Sequence, residues 1–151
     1  MPRFDNLDKE ILNRIQSDFP VASRPFLVIA TDMGVTEDVV IERVAYLKQT
    51  GIIRRIGGNF VPGKIGFVST LCAAKGPEHR VDAFAQVVNQ FPGVTHNYQR
   101  DDDLNIWFTF IAPSMTDIEA HLKAISKMTG VTGILNMPAT HLFKIRAHFD
   151  L

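Results

Sequence analysis

The feature that most constrains how this chain can fold is a change of hydrophobic period at Pro62-Gly63-Lys64. Before it, apolar residues recur every three or four positions, as on one face of a helix; after it, short β-prone runs alternate with helical stretches. One core cannot serve both patterns easily, so the sequence predicts two small domains, residues 1–63 and residues 64–151.

The first segment reads as three helices. Leu7, Ile11, Leu12 and Ile15 form one stripe, with Asn6 as the expected cap and Phe19-Pro20 closing it. Ser23 as cap, Pro25 in the first turn and Gly34 as the stop predict a second helix carrying Phe26, Ile29 and Ala30. Thr36 then caps a third, with Glu37 and Asp38 at its positive end, Val40, Val44 and Leu47 inward, and Gly51 as its stop. Three helices so spaced predict a helix-turn-helix. The runs Ile52–Ile56 and Phe60-Val61, joined by Gly57-Gly58-Asn59, predict a hairpin wing.

The second segment reads as strand (Phe67–Ala74), helix (about Pro77–Gln90), strand (Val94–Arg100), strand (Leu104–Ile111), helix and a final strand region between Val131 and Phe149. Ile118, Leu122, Ile125 and Met128 mark the second helix. The order βαββαβ is ferredoxin-like, with helices on one face of an antiparallel sheet and the other face left for a partner or ligand. The fold class is therefore α+β: a winged helix-turn-helix, then a ferredoxin-like domain for ligand binding or catalysis and for dimerisation.

Composition narrows the function. Sixteen basic residues balance sixteen acidic ones, so net charge announces neither nucleic acid nor membrane surface. The N-terminus of the expected recognition helix offers Glu37 and Asp38 where a DNA reader presents basic or amide side chains, and two carboxylates are repelled by phosphates. DNA binding is disfavoured, and the helix-turn-helix reads as a packing module. No run approaches the roughly 20 apolar residues of a membrane span, and Met1–Asp5 lack a signal-peptide core, which predicts a cytoplasmic protein. The single cysteine, Cys72, reads as a buried thiol in an apolar strand. No dinucleotide-binding, P-loop, zinc-protease or serine-hydrolase motif is present, so any chemistry comes from scattered groups.

The most informative stretch is Gly93-Val94-Thr95-His96-Asn97-Tyr98-Gln99-Arg100. Strand alternation puts His96, Tyr98 and Arg100 on one face and Thr95, Asn97 and Gln99 on the other, so neither face is apolar. One explanation is an edge strand in water with Arg100 paired to Asp101, Asp102 or Asp103. The other is a ligand surface: an imidazole for proton transfer or metal ligation, a phenol beside it, and a guanidinium suited to carboxylates. On the neighbouring strand, Leu104, Ile106, Phe108 and Phe110 form a core face, while Asn105, Trp107 and Thr109 share the mixed side. Trp107 there suits a planar ligand or ordinary packing. Arg54 and Arg55, adjacent in an expected strand, point to opposite faces, to reach a pocket, a phosphate or solvent. His141 shares strand parity with Phe143, Ile145 and Ala147, which fits a structural histidine or a ligand contact; His79, His121 and His148 read as surface residues.

A helix-turn-helix followed by βαββαβ resembles the Lrp/AsnC family over nearly the whole chain. Within it, Gly51–Gly57, Gly93–Arg100 and Asn105–Phe110 resemble the siroheme decarboxylase branch, as do Leu135-Asn136-Met137-Pro138 and Phe143-Lys144-Ile145-Arg146. The sequence departs from that pattern at Asp103-Leu104, where an aromatic residue often precedes the asparagine.

The resemblance implies a carboxy-lyase of two subunits that converts siroheme to 12,18-didecarboxysiroheme, two acetate side chains becoming methyl groups with loss of two carbon dioxide molecules. It implies no added cofactor, since the iron is carried by the substrate, and a heterodimer with a paralogous Lrp-like subunit. His96 and Tyr98 are then the candidate acid–base pair, and His96 is alternatively an axial ligand to the substrate iron. Arg54, Arg55, Asn97, Arg100, Trp107 and His141 are candidate substrate contacts. Two other functions fit this architecture: a DNA-binding Lrp/AsnC-type regulator, and a haem or siroheme sensor without turnover.

Overall fold

A computed structural model describes residues 5–144 and 148–151, and the chain divides into two compact units, Met1–Gly58 with Lys144–Leu151, and Asn59–Phe143. The expected partition at residues 63 and 64 differs from this division by five residues and by the C-terminal segment, which groups with the first unit.

In the first unit, helix α1 (Asn6–Ser17) opens on a capping box. The Asp5 carboxylate accepts from the Asp8 amide at 2.9 Å and the Asp8 carboxylate from the Asp5 amide at 3.3 Å, so Asp5, not Asn6, is the cap. Helix α2 (Pro25–Met33) begins at Pro25 with no side-chain cap; Arg24, not Ser23, holds the cap position. Its end is set by Gly34 at φ 67°, where the Gly34 and Val35 amides reach back to Ala30. Helix α3 (Glu37–Gln49) follows after three residues, Gly34, Val35 and Thr36. Ile11, Ile29, Ala30, Val40, Val44, Leu47 and Ile53 close over one another as the core of this unit. The helical part of the sequence reading is as expected. The hairpin wing is not: residues 52–61 form a bend and coil with no strand, because Ile53 is drawn into the helical core while its neighbours stay exposed.

In the second unit the strands are β1 (Val68–Ala74), β2 (Val94–Gln99), β3 (Ile106–Ala112) and β4 (Leu135–Met137), in the sheet order β2-β3-β1-β4, with every neighbouring pair antiparallel. Helices α4 (Val81–Val88) and α5 (Met115–Thr129) supply the connections, completing βαββαβ. Strict alternation on β3 buries Ile106, Phe108, Phe110 and Ala112 against Phe84 and Val88 of α4 and Ile118, Leu122 and Ile125 of α5. Both helices thus cover one face and leave the other open. Met128, expected in the apolar stripe of α5, is 56% exposed. Cys72 is buried in this core, which pushes its thiol up to about 12 and leaves it without nucleophilic character.

The last strand is far shorter than the expected Val131–Phe149 region. Residues 138–144 carry no strand, and the parts of that expectation falling on Ile145–Ala147 lie outside the described residues. Residues 148–151 instead meet α1. The Gln16 side-chain amide donates to the Phe149 carbonyl at 2.6 Å and accepts from its amide at 3.0 Å.

Candidate functional site

The open face of the sheet is assembled by register. Thr109 of β3 lies opposite both His96 of β2 and Leu71 of β1; Trp107 lies opposite Tyr98 and Ala73. His96, Tyr98, Trp107 and Thr109 therefore share one side, away from the two helices. The His96 and Tyr98 rings are stacked, with centroids 6.0 Å apart and planes 23° from parallel. The Arg100 guanidinium lies 5.8 Å from the centre of the Trp107 ring, a cation over an aromatic face. Trp107 is steadied by its indole N–H, which donates to the Leu104 carbonyl.

β2 is an edge strand, so its polar side chains face water without needing buried partners. The alternative in which Arg100 pairs with Asp101, Asp102 or Asp103 is not formed among the described residues. Asp103 pairs with Lys75 at 2.8 Å instead, and Asp102 accepts from the Leu104 amide. Lys75 holds the Asp103 carboxyl below its ordinary value. The Arg100 charge is thus left free to meet an anion.

Asn97 is placed elsewhere. It sits opposite Phe108 on the helix side, and its amide donates to Asn89 Oδ1 at 3.1 Å and to the Ala85 carbonyl at 3.4 Å, tying β2 to α4. It is not brought together with His96 and Tyr98. Asn105 likewise serves the fold: its side-chain amide accepts from the Gly76 amide at 2.9 Å and donates to the Gly76 carbonyl at 2.8 Å. Arg54 and Arg55 belong to the first unit, where both are exposed in coil, so the alternation expected of a strand does not apply to them. His141 is exposed in coil with its ring 4.6 Å from that of Phe143, and the strand parity expected for it is not formed.

Two features escaped sequence reasoning. Thr95 is the extra residue of a β-bulge between Val94 and His96, so the alternation of Thr95 with Asn97 and Gln99 breaks there. His121, though exposed, stacks on Phe110 at 5.4 Å and meets Phe91 edge-on at 5.4 Å. It lines a mainly apolar cavity of about 480 Å³ with Phe67, Phe91, Phe110, Ile111 and Thr95. A lone histidine in a surface helix gives no sequence signal for this.

Among the described residues no three His, Cys, Asp or Glu side chains gather as a metal site. No helix among them is long and apolar enough to cross a membrane. On the first unit, Glu37 is ion-paired to Arg24 while Asp38, Ile41 and Glu42 are exposed, so the start of α3 presents an acidic and apolar surface.

Comparison with known proteins gives consistent findings. Residues 64–144 match the family described as "AsnC-like ligand binding domain", and residues 8–54 match "Siroheme decarboxylase NirDL-like HTH domain". The chain is 52% identical over 147 residues to the siroheme decarboxylase alpha subunit of Desulfovibrio desulfuricans, covering 97% of this chain and 84% of that protein. The crystal structure of the siroheme decarboxylase NirDL in co-complex with an iron-uroporphyrin III analogue superposes with a TM-score of 0.68 at 30% identity, over 95% of this chain and 48% of that one. Escherichia coli AsnC shares the fold, with a TM-score of 0.77 at 18% identity, over 97% of this chain and 98% of that one.

Proposed function

Because the chain belongs to the siroheme decarboxylase family, we propose that it works as one subunit of a carboxy-lyase that converts siroheme to 12,18-didecarboxysiroheme, paired with a paralogous Lrp-like subunit. The observation that carries the reading is the joint presence, on one open sheet face, of His96, Tyr98, Trp107 and the uncompensated Arg100 in a chain 52% identical to a siroheme decarboxylase alpha subunit.

Each decarboxylation breaks the bond between the acetate methylene and its carboxyl carbon and leaves an electron pair on the side chain. The conjugated ring, once protonated, can accept that pair before the new methyl carbon takes its own proton. Overall, one proton is taken up for each carbon dioxide released, so a positioned acid is needed. His96 is that acid in our reading, with Tyr98 stacked beside it as relay or second donor. Axial ligation of the substrate iron is the competing role for His96, since a nitrogen bonded to iron cannot also deliver a proton.

Arg100 would grip carboxylates of the polyanionic substrate, each charge-assisted bond contributing roughly 1.5–3 kcal/mol. Trp107 offers a flat surface to the macrocycle, and the exposed His141 is a further proposed contact, whereas Asn97 is turned to α4. Substrate iron supplies the metal, so the protein is expected to need no further cofactor. The acidic start of α3 supports a packing role for the helical unit over DNA recognition.

Kinetics of two variants test the assignment. Arg100→Ala should mainly raise KM, and His96→Ala should mainly lower kcat. Unchanged kinetics in both would overturn it.

A further inference from the structure

We propose that Thr95 is a positioning residue for His96, its hydroxyl accepting from Nδ1–H so that Nε2 is the nitrogen presented to the substrate. This rests on the reading of His96 as an acting group and adds how that group is oriented.

In a regular strand the side chains of adjacent residues point to opposite faces, and Thr95 could not reach His96. The register shows why it does here. Val94 pairs with Phe110 and His96 with Thr109, so two consecutive β3 positions face β2 residues two apart, and Thr95 is inserted between them. The Thr95 hydroxyl stands 3.1 Å from His96 Nδ1.

The bulge itself is braced. Gly93, two residues earlier, accepts from the Ile111 amide at 2.8 Å, and the Val94 amide donates to the Phe91 carbonyl at 2.9 Å. A side chain at Gly93 would place its Cβ 2.2 Å from the Ile111 carbonyl oxygen, so β3 approaches this point closely because residue 93 is glycine. The Tyr98 ring lies 6.0 Å from the imidazole and 23° from parallel to it, and Thr95 engages one of the two imidazole nitrogens. Among the described residues, Nε2 has no protein partner. A hydrogen bond at one ring nitrogen selects the tautomer and so decides which nitrogen exchanges a proton or binds a metal. With Nδ1–H held by Thr95, Nε2 is free either to carry the transferable proton or to offer its lone pair to iron.

The test uses the chain with its paralogous subunit, anaerobically, with siroheme. Thr95→Val keeps the shape and removes the hydroxyl; Thr95→Ser keeps the hydroxyl. Thr95→Val should lower kcat about 10- to 100-fold, as loss of an orienting partner does, with KM changed by no more than about twofold, and Thr95→Ser should recover most of the rate. Nitrogen-15 spectra of the labelled histidine should show Nδ1 protonated in the native chain and a mixture of tautomers in Thr95→Val. Wild-type turnover in Thr95→Val, beside a slow His96→Ala, would overturn the positioning role alone, as would a Thr95→Ser variant as slow as Thr95→Val. A fully active His96→Ala would overturn the parent assignment and this one with it.

Discussion

Asp8 shows how much a single residue can hold. It is 1% exposed, helps cap α1, and its carboxylate meets Arg43 Nη1 at 3.3 Å, while Asp5 reaches the same nitrogen at 2.8 Å. Removing Arg43 leaves a buried carboxylate without its cation. Arg43→Met should therefore destabilise the chain by about 2–3 kcal/mol, below the ~3–5 of a fully enclosed pair because solvent reaches Arg43, measured by urea unfolding. The backbone amide of Asp8, then Arg43, lowers the Asp5 carboxyl below its ordinary 3.8. The folded state therefore binds fewer protons there than the unfolded state. That contribution is complete above about pH 4 and is lost as pH falls through the lowered value. Asp5→Asn, which can still cap, should show a shallower loss of thermal stability below about pH 4 than the native chain; identical slopes would contradict the linkage. Asn105→Ala, which gives up both bonds to Gly76, should lose about 1–3 kcal/mol. At this scale the sequence placed His96, Tyr98 and Arg100 on one face, because residue type and strand parity are local. It did not show that Asn97 turns to α4, or that Thr95 turns to His96, since those depend on what packs across the strand.

At the scale of elements, strong periodicity made the helices and β3 legible: Phe108 and Phe110 are buried as alternation requires, and Gly34 and Gly51 stop their helices at positive φ. The failures fall where the signal was weak in length. Ile52–Val61 has β-prone residues and a glycine turn, yet a lone two-stranded ribbon has little to bury, and only Ile53 finds a core. β4 stops at Met137 because Pro138 cannot donate to a ladder. The bulge in β2 leaves no sequence mark except Gly93, whose need for close approach appears only with β3 beside it. Gly93→Ala should cost about 1–3 kcal/mol by pushing a methyl against the Ile111 carbonyl, and it should slow turnover as well as lower the unfolding midpoint, since the same junction sets Thr95 and His96. A destabilised variant with unimpaired turnover would separate the bulge from function.

For the whole molecule, the division into a helical unit and a ferredoxin-like unit was readable from one change of period, and the family from the motif around His96. The return of the C-terminal segment to α1 was not, because its contacts are single amide bonds, such as those of Gln16, with no pattern in sequence. Partner and substrate belong to this scale too: an open sheet face carrying Leu71, Tyr98 and Leu135 exposed suits covering by a second subunit. The central claim is tested by incubating the purified chain anaerobically with siroheme, alone and with its paralogous subunit, followed by mass spectrometry of the extracted tetrapyrrole. The account predicts a product lighter by two carbon dioxide units when both subunits are present; intact siroheme under both conditions would contradict it.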